Sequence, residues 1–577
     1  MFVNMRNRLL TAIVPDNRSM LPPLPSLHGD DGHEPYAKRC LIDKFNYARP
    51  VFLQLLTPDE LKASADHNVR PIIVPRDISI LPFGTGYAEC VNSGKSEWNE
   101  DQAAFCRQVL SDPSKKHPDL PYTYFGIFDG HAGYGAALAA SHQFHLILHE
   151  KLVDIIDMLL PRGEDENGAV HPQGLPHPRH FYKTVTKDEL VVGALESAFF
   201  NMDALIAQDR LWYRDAGGCT ALVTLFIYGK MFVANAGDSR GVLCQRATPK
   251  VLNGGAENDE DTKQVFPVPF SFDHTPETER RRLMNTAQLK PQLIGRQYIA
   301  MEYARRPHVR DLGQRILCRQ GNTEGWVYKT ITREDLRMPV VTGEGKRSRL
   351  LGTLGVTRGF GDHDLLAMNT GTLIKPFLTP HPEVKCRDLS KIVSIPGENN
   401  EDGDYGILVM ATDGLWDVSE NDVVAKTVFQ TLAMYPTEKH RYTMVAQELV
   451  AKARGKINEY GHWRLADSKA AATVDDISVI VIPVYQYYKE HAEWERICAE
   501  KTKQQEQEQL QAQAQEVVVV TNGVVEEDVS AAASALEAIE IHSNNDDEDY
   551  DAEKQENEQK QKQKQKEDLT SPEVKAA

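Results

Sequence analysis

Acidic residues recur at one kind of place in this chain, the boundary of an apolar run. Asp129 closes Tyr124-Phe125-Gly126-Ile127-Phe128, and Asp413 follows Tyr405-Gly406-Ile407-Leu408-Val409-Met410-Ala411-Thr412. Asp238 follows Met231 to Ala236 and a glycine, and Asp475 stands just ahead of Ile477 to Tyr485. Any one of these is ordinary turn chemistry; their joint occurrence needs another explanation. Carboxylates gathered at strand ends, without Cys or His ligand pairs, suit hard cations such as Mg²⁺ or Mn²⁺ rather than Zn²⁺. Two such ions about 4 Å apart can clamp a phosphoryl group and activate a water. His131, close behind Asp129, is spaced to protonate a leaving oxygen. Glu100-Asp101 adds two adjacent acids, a pairing that is usually only solvated.

The elements that must carry these residues follow from hydrophobic period and turn residues. Thr220 to Tyr228, Gly229-Lys230 and Met231 to Ala236 read as a hairpin, with a further strand over Val242 to Gln245. Phe83 to Cys90 reads as a turn and an edge strand. Helical period runs through Gly133 to Leu159, Leu190 to Leu211, 419 to 433 and 443 to 457. Residues 161 to 181 read as a loop insertion, and 276 to 348, rich in arginine, as a helix followed by an irregular, partly helical insertion. Strands adjacent in sequence with a few long helices predict antiparallel sheets covered by helices rather than a parallel doubly wound sheet. Residues 37 to 80 show no clear period.

Composition sets the outer bounds. The chain has 577 residues, 41% hydrophobic and 26% charged, ordinary values for a soluble globular protein. The net charge of -18 is concentrated at one end: Lys501 to Ala577 holds 8 Lys against 19 Asp or Glu. The body is only mildly acidic, which gives no basis for nucleic acid binding. The 8 cysteines are scattered without a CxxC pair, against a zinc ribbon or disulfide framework and in keeping with a reducing compartment. Gly94-Lys95-Ser96 resembles the end of a P-loop, but Glu89 stands where its first glycine belongs. No apolar run approaches the roughly 20 residues of a bilayer span, and no secretory signal is evident. Met1 to Val14 can form a short amphipathic helix for peripheral membrane contact, or a frayed terminus. The tail beyond about residue 490, with its Gln, Glu and Lys repeats, is expected to be disordered with at most transient helix.

Seven blocks, read together and in order, resemble the metal-dependent protein phosphatases, the protein phosphatase 2C family. They are Glu100-Asp101, Phe128-Asp129-Gly130-His131-Ala132-Gly133, Ala236-Gly237-Asp238-Ser239-Arg240, Asp273-His274, Arg349 to Asp362, Asp413-Gly414-Leu415-Trp416-Asp417 and Asp475-Asp476-Ile477-Ser478-Val479. Several are worded most like the H, J and M branch. The resemblance implies an α+β fold, an antiparallel β-sandwich flanked by helices in four αββα layers, over 81–490. It places a substrate-selecting flap around 276–348, an N-terminal extension over 1–80 and the acidic tail over 491–577. It implies a binuclear centre of Mg²⁺ or Mn²⁺, with a weaker third ion. Asp129 would bridge two ions, with the Gly130 carbonyl on one. Asp413 and Asp475 would complete the first, Glu100 and Asp101 would hold the second largely through water, and Asp238 with Asp413 would form the third.

Two departures stand out. The family's phosphate-gripping arginine, five residues before the Asp of the acidic pair, is Ser96 here. Lys95 is its neighbour and the candidate replacement, although an ammonium cannot make a bidentate clamp. The usual Asp-Asn before the last strand is Asp475-Asp476, where the second acid either tightens metal binding or supports the first. The implied activity is hydrolysis of phosphoserine or phosphothreonine in proteins by metal-activated water, with Asp129, His131 and Lys95 as catalytic residues. The alternative is a pseudophosphatase that binds or scaffolds phosphoproteins. Implied substrates are phosphorylated proteins, with small GTPases suggested by the branch, and the implied location is cytoplasmic or membrane-peripheral.

Overall fold

The computed structural model describes residues 47–160, 185–208, 217–247, 264–320, 323–368, 370–393 and 406–521. Two compact units divide between Ala499 and Glu500, and the sheets, core and site all belong to the first.

Two antiparallel sheets form its centre. The strands that build them are β1 (Ile72–Ile73), β2 (Gly86–Cys90), β3 (Gln102–Leu110), β4 (Leu120–Phe128), β5 (Ala221–Ile227), β6 (Lys230–Ala236), β7 (Arg240–Ala247), β8 (Gln264–Pro269), β9 (Glu383–Asp388), β10 (Gly406–Ala411) and β11 (Ile477–Pro483). One sheet runs β1-β2-β11-β10-β7-β8 and the other β9-β6-β5-β4-β3. The expected β5–β6 hairpin forms, turning at Tyr228-Gly229, one residue ahead of the predicted Gly229-Lys230.

The inner strands β5, β6, β10 and β11 are apolar almost throughout because both faces are covered. In β10, Leu408 and Met410 point between the sheets, beside Phe125, Ile127, Leu222, Met231, Ile480 and Ile482. The alternate residues Ile407, Val409 and Ala411 meet helices α4 (Asn421–Met434) and α5 (Arg441–Arg454) through Val428, Val445 and Leu449. On the far side, α1 (Gly135–Val153) and α2 (Lys187–Gln208) pack Phe144, Leu148, Leu195 and Phe199 onto Tyr124, Phe128, Val223 and Phe232. The period of two thus sends one set of side chains to each interface and yields the expected αββα layering. By length and composition α2 could cross a bilayer, but Val191, Leu195, Phe199 and Met202 are buried in this core.

The structure departs from expectation in four places. β2 is no edge strand: β1 covers it on one side, β11 on the other, and all five of its residues are buried. The two-residue β1 is too short to leave a pattern. The core also begins well before residue 81, since Phe52 and Leu53 lie between the sheets. Residues 276–348 hold the expected helix and partly helical turns, but also short strands that the sequence did not show. After α3 (Arg280–Leu289), strands at 298–299 and 338–339, at 301–303, 315–320 and 327–330, and at 341–342 and 349–350 pair with one another. Runs of two to six residues are too brief for alternation to show. Their own small core gathers Leu283, Met284, Tyr298, Val340, Val341 and Phe377. Finally, α6 (Tyr485–Thr521) continues beyond 490, and Tyr487, Trp494 and Cys498 are buried. The expected loop at 161–181, the segment 1–14 and the chain beyond 521 lie outside the described residues.

Candidate functional site

The ends of β4, β6 and β10 and the start of β11 converge on one cavity of about 350 Å³. Asp129, Gly130, His131, Asp238, Asp413, Asp475 and Lys95 line it. Carboxylate oxygens of Asp129, Asp238 and Asp413 lie within 4.8 Å of one another. The local backbone is tightly fixed. The Asp129 carbonyl accepts from the Thr220 amide at 2.8 Å. A Cβ at Gly130 would stand 2.5 Å from the Glu100 carbonyl oxygen, so only glycine fits where the two acidic segments cross.

Burial and mutual repulsion push the Asp129 carboxyl well above the usual range, with Asp413, Asp101, Asp475 and Asp238 as neighbouring charges. Burial and the same kind of crowding raise Asp413. Asp238 is pushed up to about 7, by burial first and then by Asp273. Carboxylates this close cannot all ionise without a counter-charge. Their all-oxygen donor set fits a hard divalent cation. Asp101 gives a second indication: it is buried, its Oδ2 accepts from the Thr412 hydroxyl at 2.9 Å, and its Oδ1 has no hydrogen-bond partner among the described residues.

The acidic pair sits beside the cavity rather than on its wall. Glu100 Oε1 accepts from the Gly133 amide at 2.7 Å, and Arg49 donates to the carbonyls of Asn99 and Asp101. Arg49 in turn forms a buried two-point ion pair with Glu89, at 2.8 and 2.6 Å. Of the two readings of Asp476, the structure favours support: its carboxylate accepts from the amides of Asn92 at 2.7 Å and Glu100 at 2.9 Å. Lys95 donates from Nζ to Asp475 Oδ2. Burial disfavours its charge, but Asp475, Asp413 and Asp129 outweigh burial and hold the ammonium above its ordinary value.

His131 Nε2 lies 2.7 Å from Asp362 Oδ2. Burial opposes the imidazolium; Asp362, Asp238 and Glu100 overcome it and raise the pKa. Gly218 lies against both groups: a Cβ there would come 2.3 Å from Asp362 Oδ2 and 2.6 Å from His131 Nε2. Asp362 is the functional partner that sequence reasoning missed, although the Gly361-Asp362 dipeptide repeats the Gly237-Asp238 pattern. Asp417, another liner of the cavity, was quoted in its block but given no role. Arg240 also lines the cavity and holds Asp273 at 3.0 and 2.6 Å.

Strand-end carboxylates that could hold a cation, a histidine beside them whose charged form is favoured, and an αββα sandwich fit one class of protein, the phosphatases. The protein phosphatase 2C family model matches residues 86–292 and 331–459, more than half of the chain. The chain belongs to the protein phosphatase 2C family. It is 39% identical over 500 residues to human protein phosphatase 1H, covering 76% of this chain and 91% of that protein. It is 42% identical over 466 residues to mouse protein phosphatase 1J, covering 76% and 86%. These relatives agree with the H and J wording of its motifs. A solved serine-threonine phosphatase 2C from Toxoplasma gondii aligns over 71% of this chain and 98% of its own, at 16% identity and a TM-score of 0.35. The chain is accordingly a protein phosphatase, and phosphoproteins are its substrates.

Proposed function

We propose that the chain hydrolyses phosphoserine and phosphothreonine in proteins with the help of Mg²⁺ or Mn²⁺ held at the acid-lined cavity. The observation that carries this reading is the approach of Asp129, Asp238 and Asp413 within 4.8 Å, in a site whose carboxyls are too crowded to ionise unaided. Asp129, Asp413 and Asp475, with the Gly130 carbonyl, would hold a first ion; Asp129 would be shared with a second that Glu100 and Asp101 anchor largely through water, and Asp238 with Asp413 would hold a third. When bound, such ions neutralise phosphoryl charge and lower the pKa of water.

The chain's own residues would do the rest. His131 donates the proton to the departing Ser or Thr oxygen, which as an alkoxide is a poor leaving group. Asp362 orients the ring and favours its charged form against the effect of burial. Asp476 and Arg49 hold the Glu100-Asp101 backbone against the site. Lys95 balances Asp475 and is the second cation available to the phosphate. A binding-only role has no support in the site, where every expected carboxylate is present. The resemblance to the H and J branch is the sole ground for small GTPases as substrates. Cytoplasmic location is supported by the absence of disulfides among the described residues; peripheral membrane contact through residues 1–14 rests on their amphipathic pattern alone.

Hydrolysis of a phosphothreonine peptide by the full chain, with Mn²⁺ and with chelator, tests the reading. Asp129→Ala is expected to lower kcat/KM by about a thousandfold or more, the scale of losing a charge-stabilising group at the reacting centre. Equal rates in the two proteins, or rates indifferent to chelation, would refute it.

A further inference from the structure

The substitution of Ser96 for the family's arginine leaves open what grips the phosphate, and the wall of the cavity supplies a candidate. Four long cationic side chains line it: Lys95, Arg240, Lys346 and Arg349. Three are already neutralised. Lys95 pairs with Asp475, Arg240 with Asp273, and Lys346 with Asp417 at 2.9 Å. Arg349 differs. Its Nη1 donates to the carbonyls of Lys346 at 3.0 Å and Ser348 at 2.8 Å, and no carboxylate pairs with it among the described residues.

Those two carbonyls fix the guanidinium without cancelling its charge. It lies flat enough against the wall that a Cβ on Gly355, another liner, would be 3.5 Å from Nη1. The side chain is exposed, so a ligand can reach it. Its Nε and Nη2 edge offers parallel donors, the fork that matches two phosphate oxygens. Lys95 is the weaker substitute, since its ammonium is paired with Asp475 and cannot make a bidentate clamp. From these observations we infer that Arg349, at the C-terminal end of the flap, binds the substrate's phosphoryl group in place of the missing arginine. This makes the flap part of the phosphate site itself, and it rests on the proposed hydrolysis of phosphate monoesters.

Arg349→Gln and Arg349→Lys in the full chain test it. Glutamine keeps a donor for the two carbonyls but removes the charge; lysine keeps the charge but loses the fork. Calorimetric titration with inorganic phosphate in the presence of Mg²⁺ reads the contact without turnover, so failure of the hydrolysis reading and failure of this one are distinguishable. Phosphate affinity is expected to fall about tenfold or more in Arg349→Gln, with partial recovery in Arg349→Lys. KM should rise by a similar factor on p-nitrophenyl phosphate and on a phosphothreonine peptide with neutral flanks. Unchanged phosphate affinity in Arg349→Gln would overturn the assignment. So would a KM rise confined to the peptide, which would put Arg349 on the flanking chain instead of the phosphate.

Discussion

The acid-lined end of the sandwich and the flap are built on opposite terms. Around the cavity, charged groups are buried and held by long strands: the Arg49–Glu89 pair has side chains 1% and 2% exposed. On the flap, the Arg281–Glu324 pair is 69% and 85% exposed, and the strands beneath it span two to six residues. A buried charge without its partner is costly, so the first region has one workable arrangement. An exposed pair contributes little and can be exchanged at small cost. Chemistry that depends on ångström placement sits on the first kind of support, and the flap's outer charges sit on the second.

The comparison is broken most directly at His131. If rigid placement is what the sandwich supplies, His131→Ala should lower kcat on a phosphothreonine peptide by about 10² to 10⁴, the usual range for losing a general acid. The loss on p-nitrophenyl phosphate should be much smaller, because nitrophenolate departs without a proton. An equal loss on both substrates would remove the proton-donor role. The native enzyme should also lose activity on the peptide as pH rises through the elevated His131 pKa, since only the imidazolium can donate.

A second prediction sharpens what the crowded acids cost. Asp129, Asp238 and Asp413 have folded pKa values raised above the unfolded value near 3.8. Between that value and the value of about 7 at Asp238, the native state therefore holds more protons than the unfolded state. By linkage, stability of the cation-free protein falls as pH rises through this window. Thermal unfolding in chelator should show a lower Tm at pH 8 than at pH 5. Saturating Mg²⁺ should raise Tm more at pH 8, where it no longer competes with protons. A Mg²⁺ increment that is the same at both pH values would show that the cluster does not hold the ion.

The two regions were also unequally legible in the sequence. Asp129, Asp238, Asp413 and Asp475 could be placed because each ends or begins a run long enough to declare itself a strand. A nearly continuous apolar run, as in Ile477 to Pro483 with only Ser478 polar, announced burial on both faces. Asp362 was missed because its strand is two residues, Phe360–Gly361, and because the contact with His131 joins residues far apart in the chain. Arg49 was missed for a related reason: a lone arginine in an aperiodic segment gives no sign that it is buried against Glu89. The flap's strands are set by pairing with one another and with α3, and pairing of that kind leaves no local period.

The smallest effects separate the two regimes within a single helix. Arg281 and Arg282 are neighbours in α3, and sequence gives no reason to rank them. Among the described residues Arg281 reaches only Glu324, at 3.4 Å and in solvent. Arg282 turns inward and donates to the Phe377 and Thr357 carbonyls at 3.0 Å each and to Glu279 at 2.7 Å. Glu279 is itself held down to about 2, where burial would raise it but Arg358, Arg282 and Thr357 prevail. Arg282→Ala is expected to cost about 1.5–3 kcal/mol, the range for a charged group's hydrogen bond to a part-buried partner. Arg281→Ala should stay within about 0.5 kcal/mol, as surface substitutions do. Denaturant midpoints of the two variants measure the gap. Equal midpoints would mean that the flap tolerates loss of its inward anchors as readily as its outward ones, and that its short strands, not its charged contacts, hold it to the sandwich.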